Sequence, residues 1–165
     1  MTCVLPDVLA PGLDIVFCGT AAGRASARHG AYYAGPGNAF WRTLFRVGLT
    51  PRILQPGEFA RLTEWNMGFT DLAKTVSGSD SMLSKSHFDG ARLRDLMLEY
   101  QPRTLAFTGK RAAREFARRR VDYGLLPETI GVTRLFVLTS PSGAARRFWN
   151  EGPWRELSRL RQAGR

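Results

Sequence analysis

A short apolar run that leads into a glycine-rich segment constrains this chain most. Residues Leu13 to Cys18 form a run that is apolar except for Asp14 and rich in β-forming residues, as expected for a strand covered on both faces. From Gly19 to Trp41 the chain has five glycines and no large aliphatic side chain, so this stretch suits a pocket wall better than a core. Because an open α/β sheet binds ligands at the ends of its strands, we expect a pocket after Cys18.

The rest of the chain alternates between strand and helix patterns. Further strands are predicted over 66–72, 104–108 and 131–140, and helices near 39–47, from Pro56, over 90–100, over 111–120 and from Pro153. Five serines between Ser77 and Ser86 predict a mobile loop. This alternation indicates an α/β fold with a mainly parallel sheet, and 165 residues suit one domain.

The charge balance favours a polyanionic partner. The chain has 24 Lys and Arg against 14 Asp and Glu, which gives a net charge of +10. Nucleic acid is the commonest polyanion that binds such small basic domains. The alternative is a basic surface that serves only solubility.

Several other classes of protein are disfavoured. The two cysteines and two histidines lack the spacing of a disulfide framework or a zinc site, so we expect no metal. No apolar run approaches the ~18 residues of a membrane span, and the N-terminus lacks a signal-peptide pattern. We expect a cytoplasmic monomer without a cofactor, associated with the nucleoid if the source is prokaryotic.

Polar residues follow four of the predicted strands. Parallel strands deliver their carboxyl ends to one edge of the sheet, so these four loops should meet. The first offers backbone groups, the second the carboxylate of Asp71, the third a cation at Lys110, and the fourth small polar residues before Arg146. The four loops are Gly19–Gly23, Thr70–Asp71, Gly109–Lys110 and Ser140–Arg146.

Six segments, taken in order, resemble the mismatch-specific uracil-DNA glycosylase and thymine-DNA glycosylase family of the uracil-DNA glycosylase superfamily. They are Val16–Gly19 with Gly23, Asn38–Trp41, Gly68–Leu72, Tyr100–Pro102, Phe107–Lys110, and Pro141–Gly143 with Arg146. The resemblance implies a single glycosylase domain over residues 1–165, folded as a three-layer α/β/α sandwich. It also implies an enzyme that flips uracil or another deaminated base out of DNA, hydrolyses its N-glycosidic bond and so initiates base excision repair.

The first motif departs from this family. Its members carry Gly-x-Asn-Pro-Gly, in which the asparagine positions the attacking water, and here Ala21 stands at that position. The backbone N–H groups of Thr20 and Ala21, next to Gly19, could still bind the carbonyl oxygen of the base. Asp71 is the best substitute for the missing side chain, with a helix N-cap or a surface ion pair as the alternative. His29 is a second candidate, with an exposed loop histidine as its alternative.

The resemblance assigns base-binding roles to three further residues. Tyr33 matches the aromatic residue that stacks on the flipped base, although it could instead pack in the core or exchange roles with Tyr32. Asn38 either reads the edge of the base or caps a helix. Ser26 lies where the family lines the pocket near the 5-position of the base.

The last strand leads into the segment that matches the second family motif, which holds the DNA backbone and carries a wedge. Ser142 and nearby backbone N–H groups would bind phosphates, and Arg146 would fill the gap left by the base or contact the opposite strand. Small residues stand where a bulky wedge is expected, which predicts weaker reading of the partner base. The DNA-binding candidates are Lys110, Ser140, Ser142, Gly143, Ala144, Ala145 and Arg146. Arg111, Arg114 and the arginine run 118–120 are further phosphate candidates, but an arginine run is usually a solvated helix face.

Two alternatives to an active glycosylase remain open. A protein of this fold could bind damaged DNA and have lost catalysis together with the motif asparagine. A generic nucleotide-binding α/β protein is disfavoured, because the chain has neither a Walker motif nor a dinucleotide-binding fingerprint.

Overall fold

The computed structural model describes residues 3–164, which form one five-stranded sheet flanked by helices. The strands are β1 (Ile15–Gly19), β2 (Met67–Asp71), β3 (Thr104–Phe107), β4 (Gly124–Ile130) and β5 (Thr133–Val137). The α-helices are α1 (Arg24–His29), α2 (Phe40–Arg46), α3 (Gly90–Tyr100), α4 (Lys110–Ala117) and α5 (Gly152–Ala163). Four 3-10 helices span Pro56–Trp65, Asp80–Met82, Lys85–His87 and Gly143–Phe148.

The sheet order places β1 between β2 and β3. The full order is β2-β1-β3-β5-β4, and every neighbouring pair is parallel except β4 with β5. Gly19 pairs with Asp71, and Cys18 pairs with Phe107. The last residues of β1, β2 and β3 therefore reach the same edge of the sheet at the same level.

Alternate residues of the strands pack into two separate hydrophobic cores. Phe17 and its neighbours on one face contact α2, α5 and the 3-10 helix Pro56–Trp65, whereas Val16 and its neighbours on the other face contact α3 and α4. Burying each such side chain stabilises the fold by about 1.5–3 kcal/mol. The predicted α/β/α sandwich with a mainly parallel sheet is confirmed.

The sequence prediction missed strand β4. Its side chains alternate between buried and exposed, and it contains Pro127 and the exposed Leu125. It lies at the edge of the sheet, where a proline that cannot donate a hydrogen bond is tolerated. The predicted strand 131–140 is correspondingly too long, because Gly131, with φ of +54°, lies in the turn between β4 and β5.

Two helix predictions also need correction. The segment between Gly19 and Trp41 is not all loop, since it includes α1. The basic helix α4 ends at Ala117, and Arg118 leaves it in the left-handed conformation with φ of +58°. The arginine run 118–120 therefore follows the helix and does not form one of its faces. Within residues 3–164, no helix has the length and apolarity needed to cross a membrane.

Candidate active site

A cavity of about 810 Å³ opens at the carboxyl ends of β1, β2 and β3. All four loops that the sequence predicted at this edge contribute to its lining. Thirteen of the predicted site residues line it: Gly19, Thr20, Ala21, Ser26, Tyr33, Asn38, Asp71, Lys110, Ser140, Ser142, Gly143, Ala144 and Ala145. Arg146 is exposed and lies outside this lining.

Asp71 is the buried acidic group of the cavity. It ends β2 opposite Gly19, and only 4% of its surface is exposed. A Cβ atom at Gly19 would lie 3.0 Å from Asp71 Oδ1 and 3.4 Å from Thr108 Oγ1, so the glycine leaves room for both groups. Its burial in a strand rules out the helix N-cap and the surface ion pair that the sequence left open.

Burial changes the acidity of this carboxyl group. The pKa of Asp71 is raised to about 7, mainly by the loss of solvent and in smaller part by the negative charge of Asp7. Lys74, a hydrogen bond from the Gly19 backbone and Arg92 act in the opposite direction. A carboxyl group with a pKa near neutrality can take up or release a proton at the pH of the cell.

Tyr33 adopts an unusual backbone conformation, with φ of +53°. Its hydroxyl shares a hydrogen bond of 2.8 Å with that of Thr108, and its ring stacks on Phe40 with 4.1 Å between the centroids. Such a strained conformation is often found at binding sites. Tyr32, in contrast, is 2% exposed and stacks on Phe69 in the core. The geometry therefore fits Tyr33 better than Tyr32 as a stacking residue.

The segment after β2 packs over the first loop. Thr20 Oγ1 donates a hydrogen bond of 2.7 Å to Asp80 Oδ1, and the Ala22 carbonyl accepts one of 3.0 Å from Gly78 N–H. Within residues 3–164, neither the Thr20 nor the Ala21 N–H group donates a hydrogen bond to another residue. Both residues line the cavity, so these N–H groups are available to a ligand carbonyl.

Ser26 and Asn38 hold the loop that carries Tyr33. Ser26 Oγ accepts a hydrogen bond of 3.1 Å from Ala34 N–H, and Asn38 Oδ1 accepts one of 2.9 Å from Phe40 N–H at the start of α2. Ala39 takes the N-cap position of α2, and Asn38, one residue before it, binds the N–H group of the first helical residue. His29 is exposed and does not line the cavity, which agrees with its alternative as a surface histidine.

The segment after β5 forms the opposite wall of the cavity. Ser142 Oγ accepts a hydrogen bond of 3.2 Å from Ala144 N–H and so caps the 3-10 helix Gly143–Phe148. A Cβ atom at Gly37 would lie 2.9 Å from Arg146 Nη2 and 3.5 Å from Gly143 Cα, so this segment packs closely against the first loop. Lys110 Nζ lies 4.4 Å from the centroid of the Tyr123 ring.

Several residues of the site are not predictable from the sequence. Thr108 ends a predicted strand, but nothing local indicated that Tyr33 would bind its hydroxyl. Phe148 lines the cavity although 64% of its surface is exposed, and an aromatic residue after two arginines was its only sequence signal. Lys74 is buried behind Asp71 and had no signal of its own. Within residues 3–164, no group of three His, Cys, Asp or Glu side chains could hold a metal ion.

The fold and the cavity define an α/β/α protein with a candidate ligand site at the carboxyl edge of a mainly parallel sheet. The profile of the uracil DNA glycosylase superfamily matches residues 6–162, so this chain belongs to that superfamily. Membership supports a DNA glycosylase role and implies DNA as the substrate.

A solved structure shares the fold. It is the solution NMR structure of a "putative Uracil DNA glycosylase" from Methanosarcina acetivorans, with a TM-score of 0.64 and 22% sequence identity. The match covers 96% of each chain, so the whole α/β/α arrangement is common to both proteins.

Proposed function

We propose that this protein is a monofunctional DNA glycosylase that removes uracil, and other deaminated bases, from DNA. We further place it in the mismatch-specific and thymine-DNA glycosylase branch of the superfamily, on the six sequence segments that resemble it. One observation carries the proposal. The buried carboxylate of Asp71 shares a cavity with the aromatic ring of Tyr33 and with the backbone N–H groups of Thr20 and Ala21.

The base must leave the DNA helix before it can enter this cavity. Flipping a nucleotide costs a few kcal/mol, least at a mismatched or unpaired base. Contacts of the basic surface with phosphates offset this cost, and the chain carries a net charge of +10. Stacking on Tyr33 adds about 1–3 kcal/mol and tolerates several bases. Lys110 and Ser142 are the phosphate contacts that we assign at the rim.

The reaction then breaks the bond between C1′ of the sugar and the base nitrogen. The bonding electrons leave with the base, and the Thr20 and Ala21 N–H groups stabilise the charge on its carbonyl oxygen. The Asp71 carboxylate stabilises the positive charge that develops on the sugar. A water molecule forms the new bond to C1′ and gives a proton to Asp71. The base anion takes up one proton from solvent, and Asp71 releases its proton to solvent, which restores the carboxylate. The products are the free base and an abasic site.

Asp71 takes over the role that the family motif gives to asparagine. Ala21 stands at that position, and its methyl group can neither orient water nor accept a proton. The same substitution favours the second candidate function, a protein that binds damaged DNA without cleaving it. The two functions differ in whether Asp71 supports turnover.

Excision from labelled oligonucleotides distinguishes the two functions. A panel with uracil, hypoxanthine, xanthine or thymine lesions, in single strands and duplexes, would be incubated with the protein and cleaved at abasic sites with alkali. We expect scission at uracil by the wild type and a loss of about 10²–10⁴-fold in Asp71→Asn, the usual effect of removing a general base. Asp95→Asn, an exposed aspartate of α3, should retain full activity.

Each other outcome has a definite meaning. Binding without scission by the wild type would contradict the glycosylase and leave the binding protein. Full activity of Asp71→Asn would keep the glycosylase and remove Asp71 from its mechanism. The lesion that is cleaved fastest would identify the preferred base.

A further inference from the structure

A cluster of buried and half-buried charges lies directly behind Asp71. Lys74 follows β2 three residues after Asp71, and only 7% of its surface is exposed. Its Nζ atom donates a hydrogen bond of 3.0 Å to the Tyr32 hydroxyl, lies 3.1 Å from Asp7 Oδ1 and lies 4.0 Å from Asp71 Oδ2. The ammonium group thus stands between two carboxylates, one of which lines the cavity.

The outer carboxylate, Asp7, is itself held from three directions. Asp7 Oδ1 accepts a hydrogen bond of 2.7 Å from Thr70 Oγ1 as well as the contact with Lys74, and Asp7 Oδ2 pairs with Arg92 of α3. The charge cluster therefore contains two negative and two positive groups, of which Asp71 and Lys74 are buried and Asp7 and Arg92 are half-buried. The cluster joins the N-terminal segment, the end of β2 and helix α3.

A purely structural role does not account well for this arrangement. Buried ion pairs are costly to desolvate, and well-packed apolar residues of similar size often stabilise a fold as much. A tether between the N-terminal segment and the sheet would need only Asp7, Thr70 and Arg92. Lys74 adds a desolvated positive charge beside the one acidic side chain that lines the cavity at the end of β2.

We infer that Lys74 is a positioning residue for the glycosylase reaction: its ammonium group favours the ionised form of Asp71, and Asp7 holds Lys74 in place. The inference rests on the proposed function, in which ionised Asp71 accepts a proton from water. Lys74 touches neither the base nor the sugar, and it acts only through the charge of Asp71.

The other groups around Asp71 set the direction of each expected change. The pKa of Asp71 is raised to about 7, and this value results from burial and Asp7, which raise it, against Lys74 and Arg92, which lower it. Burial also raises the pKa of the Tyr32, Tyr33 and Cys18 side chains, so these three groups stay neutral near pH 7. The Gly19 backbone, which favours the ionised carboxylate, does not titrate. Removal of Lys74 should therefore make Asp71 harder to ionise, and removal of Asp7 should make it easier.

Profiles of excision rate against pH test the inference. The rates would be measured under single-turnover conditions on a single-stranded uracil oligonucleotide. Because ionised Asp71 is the active form, the wild-type rate should rise through the pKa of Asp71. In Lys74→Met the rise should move to higher pH, with at least a tenfold loss at pH 7 that recovers at alkaline pH. In Asp7→Asn it should move to lower pH. Lys85→Met, at an exposed lysine, should leave the midpoint unchanged.

The two opposite shifts separate an electrostatic role from a structural one. A structural tether would lower the rate of both variants at every pH without moving the midpoint, and that result would overturn the inference, as would shifts in the same direction. If Lys74→Met does not fold, Lys74→Gln, which removes the charge and keeps a polar end group beside Asp7, gives the same test.

A direct titration separates this inference from the proposed function. Carbon-13 NMR of labelled aspartate reports the ionisation of Asp71 in the wild type, Lys74→Met and Asp7→Asn without any need for activity. A wild type that does not excise bases would contradict the proposed function, while unchanged ionisation of Asp71 in both variants would contradict only the role of Lys74.

Discussion

Gly19 and Gly23 stand at the two ends of the first motif, in very different surroundings. A Cβ atom at Gly19 would lie 3.0 Å from Asp71 Oδ1 and 3.5 Å from the Tyr33 hydroxyl, whereas one at Gly23 would meet nothing within 4 Å. An added methyl group at Gly19 would therefore press on the proposed catalytic carboxylate. The same group at Gly23 would lie in open space.

We expect Gly19→Ala to lower the excision rate strongly and Gly23→Ala to leave it nearly unchanged. A displacement of a catalytic group by about 1 Å can cost on the order of 10²-fold in rate. Single-turnover excision of uracil would measure both variants, and circular dichroism would check that both are folded. Equal rates in the two variants would show that the position of Asp71 does not limit the reaction.

The residues of the site differ in how far sequence could predict them. Asp71 was predictable because it ends an apolar strand, and the ends of parallel strands share one edge of the sheet. The contact between Lys74 and Asp7 was not predictable, because it joins positions 67 residues apart in the sequence and leaves no local pattern. The role of Thr108 was not predictable either, because its hydrogen bond to Tyr33 depends on the left-handed conformation of Tyr33.

The secondary-structure elements also differ in how well the sequence predicts them. β1 and β3 were predictable as continuous apolar runs, and α3 from its apolar spacing and its cap, in which Asp89 Oδ1 accepts a hydrogen bond of 3.0 Å from Arg92 N–H. Strand β4 was not predictable, because an exposed edge strand lacks a continuous apolar run. The short helix α1 was hidden among small residues that pack little apolar surface.

The 3-10 helix Gly143–Phe148 contributes an apolar group to the cavity mouth. Ala144 and Ala145 are too small to fill the space of a flipped base, whereas Phe148 lines the cavity and is 64% exposed. The Arg147 guanidinium lies 4.8 Å from the centroid of its ring, so cation and aromatic ring are presented together. Such pairs suit stacking on bases beside phosphates.

We therefore expect Phe148→Ala to lower uracil excision from duplexes more than from single strands, because only a duplex must be held open. Arg146→Ala, which removes an exposed cation outside the cavity lining, should instead weaken binding to both and reduce the dependence of affinity on salt. Ile53→Ala, an exposed apolar residue elsewhere, is the control. Equal losses on both substrates in Phe148→Ala would count against a role in opening the duplex.

At the scale of the whole molecule, the site lowers the stability of the fold that holds it. The two hydrophobic cores pack against both faces of β1 and β2 and so hold the two strands in register. In this register, Asp71 is buried opposite Gly19. A carboxylate kept out of water near neutral pH is a cost that packing elsewhere must offset. Lys74 and Arg92 reduce this cost without removing it, because the pKa of Asp71 still lies at about 7.

Folding stability should therefore depend on pH through Asp71. Its pKa is about 7 in the folded protein against 3.8 when unperturbed, so the unfolded chain loses this proton first as the pH rises. Wild-type stability should fall between about pH 4 and pH 7 by roughly 1.4 kcal/mol for each unit of displaced pKa and then level off. Asp71→Asn stays neutral, so urea unfolding should show it to be more stable than the wild type at pH 8 and equal near pH 4. Asp95→Asn should show no such trend, and a destabilised Asp71→Asn at pH 8 would mean that contacts of the ionised carboxylate outweigh its desolvation.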